Sequence, residues 1–432
     1  MSRLCAATLG RATNARLPAY DIERLAVGMA HLGVGAFHRA HQAVFTEHAI
    51  EAAGGDWGIV GLSLRRPDAA AALNPQDGLF TLEIRAAEPR WRIVGALRRV
   101  ITAPSDPAGA LAVLADPAIR VITLTITEPG YVLSPGDLTS PERPDSAAGW
   151  LVAALARRRE AGTGPVSVVS CDNLRENGGR LADLVLALAQ RRDPELAAWI
   201  AGEIAFPNTM VDAITPASDA ALRARVRDAI GLEDRAAVQR EPFAEWVIED
   251  RFAGPRPAWE RAGARLVADV APFEALKLHV LNAAHSTLAC LGPPRGHALV
   301  REAIADAELA AFLDAMIARE VAPALEASTE EVAAYWRTTR ARLGNPALDH
   351  RLDQIGRDGG AKLRERIHPL IIAGARAGRP VGRLSSVVQA WLIAEGRDLE
   401  TSLDDRVLFA DAFRAEVAVR DVLTRPPQAA WR

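Results

Sequence analysis

The chain has 432 residues, 49% hydrophobic and 24% charged, the balance of a soluble protein with more than one core and not of a disordered tail or a fibre. A formal net charge of -3 gives no field to hold nucleic acid or an anionic membrane, so a small molecule is the expected partner. Three widely spaced cysteines, Cys5, Cys171 and Cys290, form neither a disulfide framework nor a zinc ribbon; with no apolar leader and no uninterrupted apolar run of about 18 residues, the chain reads as cytoplasmic.

Residues 25–36, LAVGMAHLGVGA, are an apolar run ending in glycines, and FHRAHQAVFTEHAIEAAG follows with Ala40, Val44 and His48 at helical spacing: strand, glycine turn, helix. WGIVGLSL at 57–64, bounded by Gly54-Gly55-Asp56 and Arg65-Arg66-Pro67, is a second strand. Residues 78–102 read as an antiparallel excursion. RVITLTIT at 120–127 and PVSVVS at 165–170 are further strands, and their alternation with helical segments predicts a parallel, doubly wound sheet. From Pro272 onward the strand signal disappears. Ala/Leu-rich helical segments cover 271–291, 298–327, 329–343, 346–367, 381–396 and 402–425, with breakers at Gly292-Pro293-Pro294, Gly344-Asn345-Pro346 and Gly378-Arg379-Pro380.

The turn Gly33-Val34-Gly35, running into Ala36, Phe37 and His38, sits where a dinucleotide's pyrophosphate meets a helix N-terminus. The third glycine of that fingerprint would fall at His38, so only a fragment is present, and a tight strand-to-helix turn explains two glycines equally well. Asp68 is the candidate acid for the ribose hydroxyls, later than usual, while Arg65 and Arg66 beside it would suit a 2′-phosphate or be plain surface arginines. These residues by themselves leave the choice between NAD and NADP open; for the chain as a whole NAD(H) is expected ahead of NADP(H).

In EALKLHVLNAAHS at 274–286, Lys277, Asn282 and His285 fall at offsets of five and eight on one predicted, nearly all-apolar helix, where polar side chains are expected to be buried in a cleft. A buried lysine tuned toward neutrality serves as a general base, and amides hold an alkoxide in a dry site; a snorkelling lysine and a satisfied core histidine are the plainer account. Asn173 and Asn177 follow the strand PVSVVS at the sheet edge where ligands bind, or form an Asx-rich turn and helix cap. Asp212, in the polar kink at 206–212, and Glu128, in the turn ending the 120–127 strand, complete the set at that edge.

Taken together, HLGVGAFHRAHQA at 31–43, TLTITEPGY at 123–131, SCDNLRENG at 170–178, FPNTMVDAITP at 206–216, PFEALKLHVLNAAHS at 272–286 and RLGNPALDHRLDQIGRDGGAKL at 342–363 resemble the mannitol dehydrogenase family over nearly the whole chain. The resemblance implies a Rossmann-type dinucleotide-binding domain with insertions over 1–270 and a helical substrate and catalytic domain over 271–432. It implies a metal-independent NAD(P) oxidoreductase for a polyol or sugar acid, working as a monomer or weak homo-oligomer. By the same resemblance Lys277 is the acid/base, Asn173 and Asn282 bind the oxyanion, His285 and Asp212 touch substrate, and Glu274 lies on the proton path. QIGRDGGAKLRER and LNPQDGLFTL look closer to fructuronate reductases, which tend to carry glutamine at Gln354 where mannitol dehydrogenases carry arginine. Lys362 then matches a substrate-contacting lysine, and it or Arg366 is expected to pair with a uronate carboxylate. Arg66-Pro67-Asp68 lacks the paired acids of strictly NAD-using members.

Three other readings compete: a zinc alcohol dehydrogenase using His38, His41 and His48, a thiol enzyme using Cys171, and a non-catalytic dinucleotide sensor. The first two are testable by geometry and burial.

Overall fold

The computed structural model describes residues 1–396, so the helix read at 402–425 lies outside the described residues. The chain divides into two compact units, Met1–Ala271 and a second beginning at Pro272.

The strands of the first unit are β1 (Val27–Leu32), β2 (Gly58–Ser63), β3 (Phe80–Ile84), β4 (Arg90–Val94), β5 (Leu97–Thr102), β6 (Val121–Leu124), β7 (Ser167–Ser170), β8 (Thr209–Asp212), β9 (Val238–Arg240), β10 (Glu245–Glu249) and β11 (Arg265–Val267), with a two-residue strand at Ala15–Arg16 before them. Five of them form one sheet in the order β5-β2-β1-β6-β7, every neighbour parallel. The order reverses at β1, which has β2 on one side and β6 on the other; a crevice opens at such a point beyond the strands' carboxyl ends.

Both faces of this sheet are covered, which is why its strands read as continuous apolar runs. Met29, Ile59 and Val121 point to one face, under α1 (Ala36–Ala40) and α2 (Gln42–Ala53). Leu32, Leu62, Ile122 and Leu124 point to the other, packed by α4 (Pro107–Ala115), α5 (Ala147–Ala161), α6 (Asn177–Arg192) and α7 (Pro194–Glu203), after α3 (Asp68–Leu73) has followed β2. The first unit is therefore the expected parallel, doubly wound Rossmann-type architecture.

Several local expectations change. The helix after the glycine turn is not continuous: it breaks at His41 (φ -123°, ψ -85°), whose Nε2 pairs with the Glu245 carbonyl at 2.9 Å. The excursion over 78–102 is antiparallel only between β3 and β4, because β5 rejoins the main sheet beside β2. Buried Glu47 sets that return, its Oε2 accepting from the Gly95 and Ala96 N–H groups at 3.0 and 2.8 Å. The kink at 206–212 contains a strand, β8, antiparallel to β10 in a small second sheet with β11.

Among the described residues of the second unit no strand is formed, and the helices are α8 (Ala271–Leu276), α9 (Ala283–Leu291), α10 (Val300–Ala305), α11 (Ala307–Met316), α12 (Thr329–Leu343), α13 (Leu352–Gly356), α14 (Gly359–Arg366), α15 (His368–Arg376) and α16 (Gly382–Ala394). α9 runs through the core, packed against α10, α11, α13, α14 and α16. Helix α15, with Pro369 in its first turn, falls in a stretch left unassigned by the spacing of apolar residues. Gly359 and Gly360 in the DGG turn have a packing reason, since a Cβ on either would stand 2.8–2.9 Å from the Trp391 ring. Among the described residues, no helix is long and apolar enough to cross a membrane.

Candidate active site

At the carboxyl ends of β1, β2 and β6 the first unit has a cavity of about 780 Å3, lined in part by Gly33, Val34, Gly35, Arg65, Arg66 and Asp68. Its volume lies in the ordinary range for small-molecule and cofactor sites. The two glycines differ in kind. Gly33 has φ +93°, and a Cβ on it would stand 2.1 Å from the Thr125 carbonyl oxygen, so the turn itself demands glycine. Gly35 has φ -93°, open to any residue, and a Cβ there would meet nothing nearer than the Gly33 carbonyl oxygen at 3.8 Å. The fold does not require glycine at 35; the missing side chain leaves bare main chain facing the cavity, which is what the close approach of a pyrophosphate needs. The residues present fit a dinucleotide.

Not all of the cofactor candidates face this cavity. Ala36 and Phe37 are half-buried outside its lining, and the Phe37 ring stacks on His41 with centroids 5.0 Å apart. His38 is fully buried and its ring stacks on His31 at 3.4 Å, so its side chain is taken out of the contact set. Burial holds His38 well below the usual histidine range. Glu128 is exposed, and it is the neighbouring Pro129 and Gly130 that line the cavity. The sequence offered no signal for Arg39, Thr125 or Arg235, which do line it. Arg39 donates through Nε to the Gly35 carbonyl at 3.2 Å and through Nη1 to the Ala236 carbonyl, tying the glycine turn to a distant loop. Burial lowers it to about 10, which leaves it charged at neutral pH.

Beneath the turn, His31 is locked by Thr123 Oγ1 at 2.7 Å, Thr125 Oγ1 at 3.0 Å and the Gly33 carbonyl at 3.1 Å. Burial drives it down to about 3, so it is a neutral strut. At the end of β7, Asp172 accepts from the Ile126 and Thr127 N–H groups at 3.1 and 2.7 Å and from the Tyr131 hydroxyl at 2.9 Å. That carboxylate holds Thr127 at φ 63°, ψ 162°, a backbone state that costs a β-branched residue on the order of 1–3 kcal/mol. Asn173 is exposed beside it, whereas Asn177 is fully buried and its amide is spent on the Asp172 and Thr209 carbonyls, both at 2.9 Å. Asn177 is a staple between β7 and β8, not a ligand donor. Asp212 ends β8, buried opposite Glu245 of β10.

The geometry disposes of two rival chemistries. Cys171 is buried, and that burial with Asp172 next to it raises its thiol well above the usual range, the opposite of a nucleophile's environment. His38, His41 and His48 do not converge, and among the described residues no three His, Cys, Asp or Glu side chains could hold a metal ion.

In the second unit, α8 passes into a π-helical segment, Lys277–Asn282, and then into α9. The Ala283 N–H reaches back five residues to the Leu278 carbonyl. A regular α-helix would set Lys277 and Asn282 about 140° apart around the axis; the wider π turn brings positions i and i+5 to the same side. Glu274 and Lys277 are buried, Asn282 half-buried and His285 8% exposed. The His285 ring packs edge-on to His350 at 5.2 Å, and its buried Nε2 has no hydrogen-bond partner. Burial first, then His350, Arg366 and Arg342 nearby, hold it well below the usual histidine range. Arg366 reaches the same turn, donating from Nη1 to the Asn282 carbonyl at 3.3 Å and Ser286 Oγ at 3.1 Å. Lys362, half-buried, spends two of its three ammonium N–H groups on main chain, Nζ donating to the Ile355 and Arg357 carbonyls at 3.0 and 2.5 Å. Gln354 is exposed on α13.

Comparison with known proteins agrees with this division. Residues 27–261 match the mannitol dehydrogenase Rossmann domain and residues 269–400 the mannitol dehydrogenase C-terminal domain. The chain is similar to D-mannonate oxidoreductase of Escherichia coli (38% identical, covering 87% of this chain and 81% of that protein) and to a polyol:NADP oxidoreductase of Gluconobacter oxydans (37%, covering 90% and 84%). Its fold matches Pseudomonas fluorescens mannitol 2-dehydrogenase, solved as a ternary complex with NAD and D-mannitol, with a TM-score of 0.82 at 33% identity over 98% of this chain and 91% of that one. With a bare-glycine dinucleotide cavity in one unit, a lysine–amide–histidine turn in the other and both family domains matched in order, this chain belongs to the mannitol dehydrogenase family of oxidoreductases.

Proposed function

We propose that the chain interconverts a secondary alcohol of a sugar acid and the corresponding keto-uronate, with D-mannonate and D-fructuronate as the pair, using a nicotinamide dinucleotide and Lys277 as acid/base. The observation that carries this reading is the π turn, which gathers a buried lysine, an amide, an unsatisfied neutral imidazole and a guanidinium in one unit. The bound dinucleotide supplies the hydride acceptor in oxidation and the donor in reduction. Lys277 Nζ takes the hydroxyl proton during oxidation and returns it to the carbonyl oxygen in reduction, with Glu274, one helical turn earlier, passing it onward. The Asn282 amide donates to the oxygen as negative charge develops there, and Asn173 is assigned the same part by its motif.

His285 is held neutral, so its unsatisfied Nε2 accepts from, or donates to, a substrate hydroxyl without adding charge. Arg366 favours an acid over a neutral polyol: its guanidinium sits beside His285 and Ser286, and Lys362 is occupied by main-chain carbonyls. Similarity to a D-mannonate oxidoreductase points the same way. Asp212, from its motif, is assigned a sugar hydroxyl, and Gln354 the place where mannitol-type relatives carry arginine.

The test is reductase activity followed by nicotinamide absorbance, with NADH or NADPH against D-fructuronate, D-fructose, D-tagaturonate and D-xylulose. The highest kcat/KM is expected with D-fructuronate, and Lys277→Ala is expected to lower kcat roughly 10²–10⁴-fold with dinucleotide affinity retained. Retained turnover in Lys277→Ala refutes the role of the lysine; a preference for fructose or xylulose moves the substrate to neutral polyols.

A further inference from the structure

The charges around the dinucleotide cavity are unequal. Four arginines line it, Arg39, Arg65, Arg66 and Arg235, against two aspartates, Asp68 and Asp145. Three of the four lie on the side where the chain leaves β2. Arg65 and Arg66 follow the strand's end at Ser63 after one residue, and Arg235 is held against the turn after α3 (Asn74–Gln76), its main-chain N–H donating to Gln76 Oε1 at 2.8 Å. The Ser63 hydroxyl donates to the Arg66 carbonyl at 2.5 Å, fixing the turn that presents both arginines. All three are exposed, and among the described residues none makes an ion pair with a carboxylate. Arg39 adds its charge close by, because the carbonyl it grips belongs to Ala236, next to Arg235.

The end of this second strand is where a doubly wound dinucleotide domain meets the adenosine ribose. A carboxylate at that point accepts both ribose hydroxyls and repels a phosphate; arginines there accommodate a 2′-phosphate. Here the strand ends at Ser63, and the nearest acid, Asp68, opens α3 five residues beyond it. A carboxylate at a helix's first turn is stabilised where it stands by the helix's own N–H groups.

We propose that Arg65, Arg66 and Arg235 form a binding site for the 2′-phosphate of NADP(H), so that this chain prefers NADP(H) to NAD(H), reversing the order expected from the sequence. The proposal rests on the dinucleotide reading of the cavity. Charge-assisted, bidentate arginine contacts give the preference, and because all three arginines are exposed it weakens with ionic strength.

Dissociation constants for NADPH, NADH, 2′,5′-ADP and 5′-ADP, measured by calorimetry on the full chain without sugar substrate, test this independently of turnover. NADPH is expected to bind at least tenfold more tightly than NADH, and 2′,5′-ADP more tightly than 5′-ADP, with both gaps narrowing between 0.01 M and 1 M salt, a range over which the screening distance falls about tenfold. In the Arg65→Ala/Arg66→Ala variant the ratio of the NADH and NADPH constants is expected to approach one, and Arg65→Lys/Arg66→Lys to retain part of it. Equal or tighter binding of NADH by the unmodified chain overturns the proposal, as does an equal loss of both dinucleotides in the double-alanine variant; either leaves the cavity a dinucleotide site. If neither dinucleotide binds, the cavity reading falls and takes the proposal with it.

Discussion

Lys277 and Asn282 stand at the two ends of one π-helical turn, so two polar side chains five residues apart share a side of a helix that would otherwise separate them. If that amide supports the developing alkoxide, Asn282→Ala lowers kcat roughly 10²–10³-fold while the dinucleotide dissociation constant stays within about twofold. Steady-state kinetics beside a binding titration separate the two quantities. An effect confined to KM would make Asn282 a ground-state contact.

The contrast between Gly33 and Gly35 gives a paired experiment. Gly33→Ala puts a Cβ 2.1 Å from a main-chain oxygen at positive φ, and is expected to cost at least about 2 kcal/mol in urea unfolding. Gly35→Ala enters open space at an ordinary φ and should change stability by less than about 0.5 kcal/mol, yet weaken dinucleotide binding at least tenfold. Full affinity in a stable Gly35→Ala protein would return that glycine to a simple turn residue.

Lys362 and Arg366 separate by what they touch. Lys362 bonds to two main-chain carbonyls, so Lys362→Met is expected to raise KM for D-fructuronate and for a neutral ketose by the same factor. Arg366→Met is expected to raise KM for the acid at least tenfold more than for the neutral sugar. A selective loss in Lys362→Met, with none in Arg366→Met, reverses the assignment.

Acid should unfold the first unit through its buried histidines. His31 has a folded pKa of about 3 against about 6.5 when unfolded, so the unfolded chain binds the extra proton. Its contribution is complete above about pH 6.5 and is lost as pH falls toward about 3, on the order of 1.4 kcal/mol per pH unit. His38, also depressed by burial, adds in the same direction, and His285 does the same in the second unit. Urea midpoints between pH 8 and pH 4.5 should be level above 6.5 and fall below it, with the slope reduced by about one proton in His31→Gln. A midpoint that rises on acidification from pH 6.5 to 5 contradicts neutral buried histidines.

The fold class was legible in the sequence because period and composition are local. Apolar runs such as WGIVGLSL, closed by glycine and proline, could only be strands buried on both faces, and the Ala/Leu-rich stretches after Pro272 could only be helices. The short turns that present Gly33, Asn173 and Asp68, and the spacing of Lys277, Asn282 and His285, were legible for the same reason: backbone chemistry over a few residues. Their partners were not. That Glu47 turns the chain back at Gly95, that Asn177 is consumed by Thr209, and that Lys362 is tied down while Arg366 reaches Ser286 are contacts between residues 5 to 80 apart in the chain, and no local period encodes them.

Even the helix carrying Lys277 shows the division. Its existence followed from sequence, but its π turn is an i→i+5 pairing that differs from the α-helical one by a single residue, and helix propensity does not separate the two. Likewise the sequence displayed Arg65 and Arg66 beside Asp68 with no means to weigh them. Only the folded chain set Arg235, some 170 residues away, against the same cavity, since the sum of charges around a ligand belongs to a closed surface and not to a segment of chain.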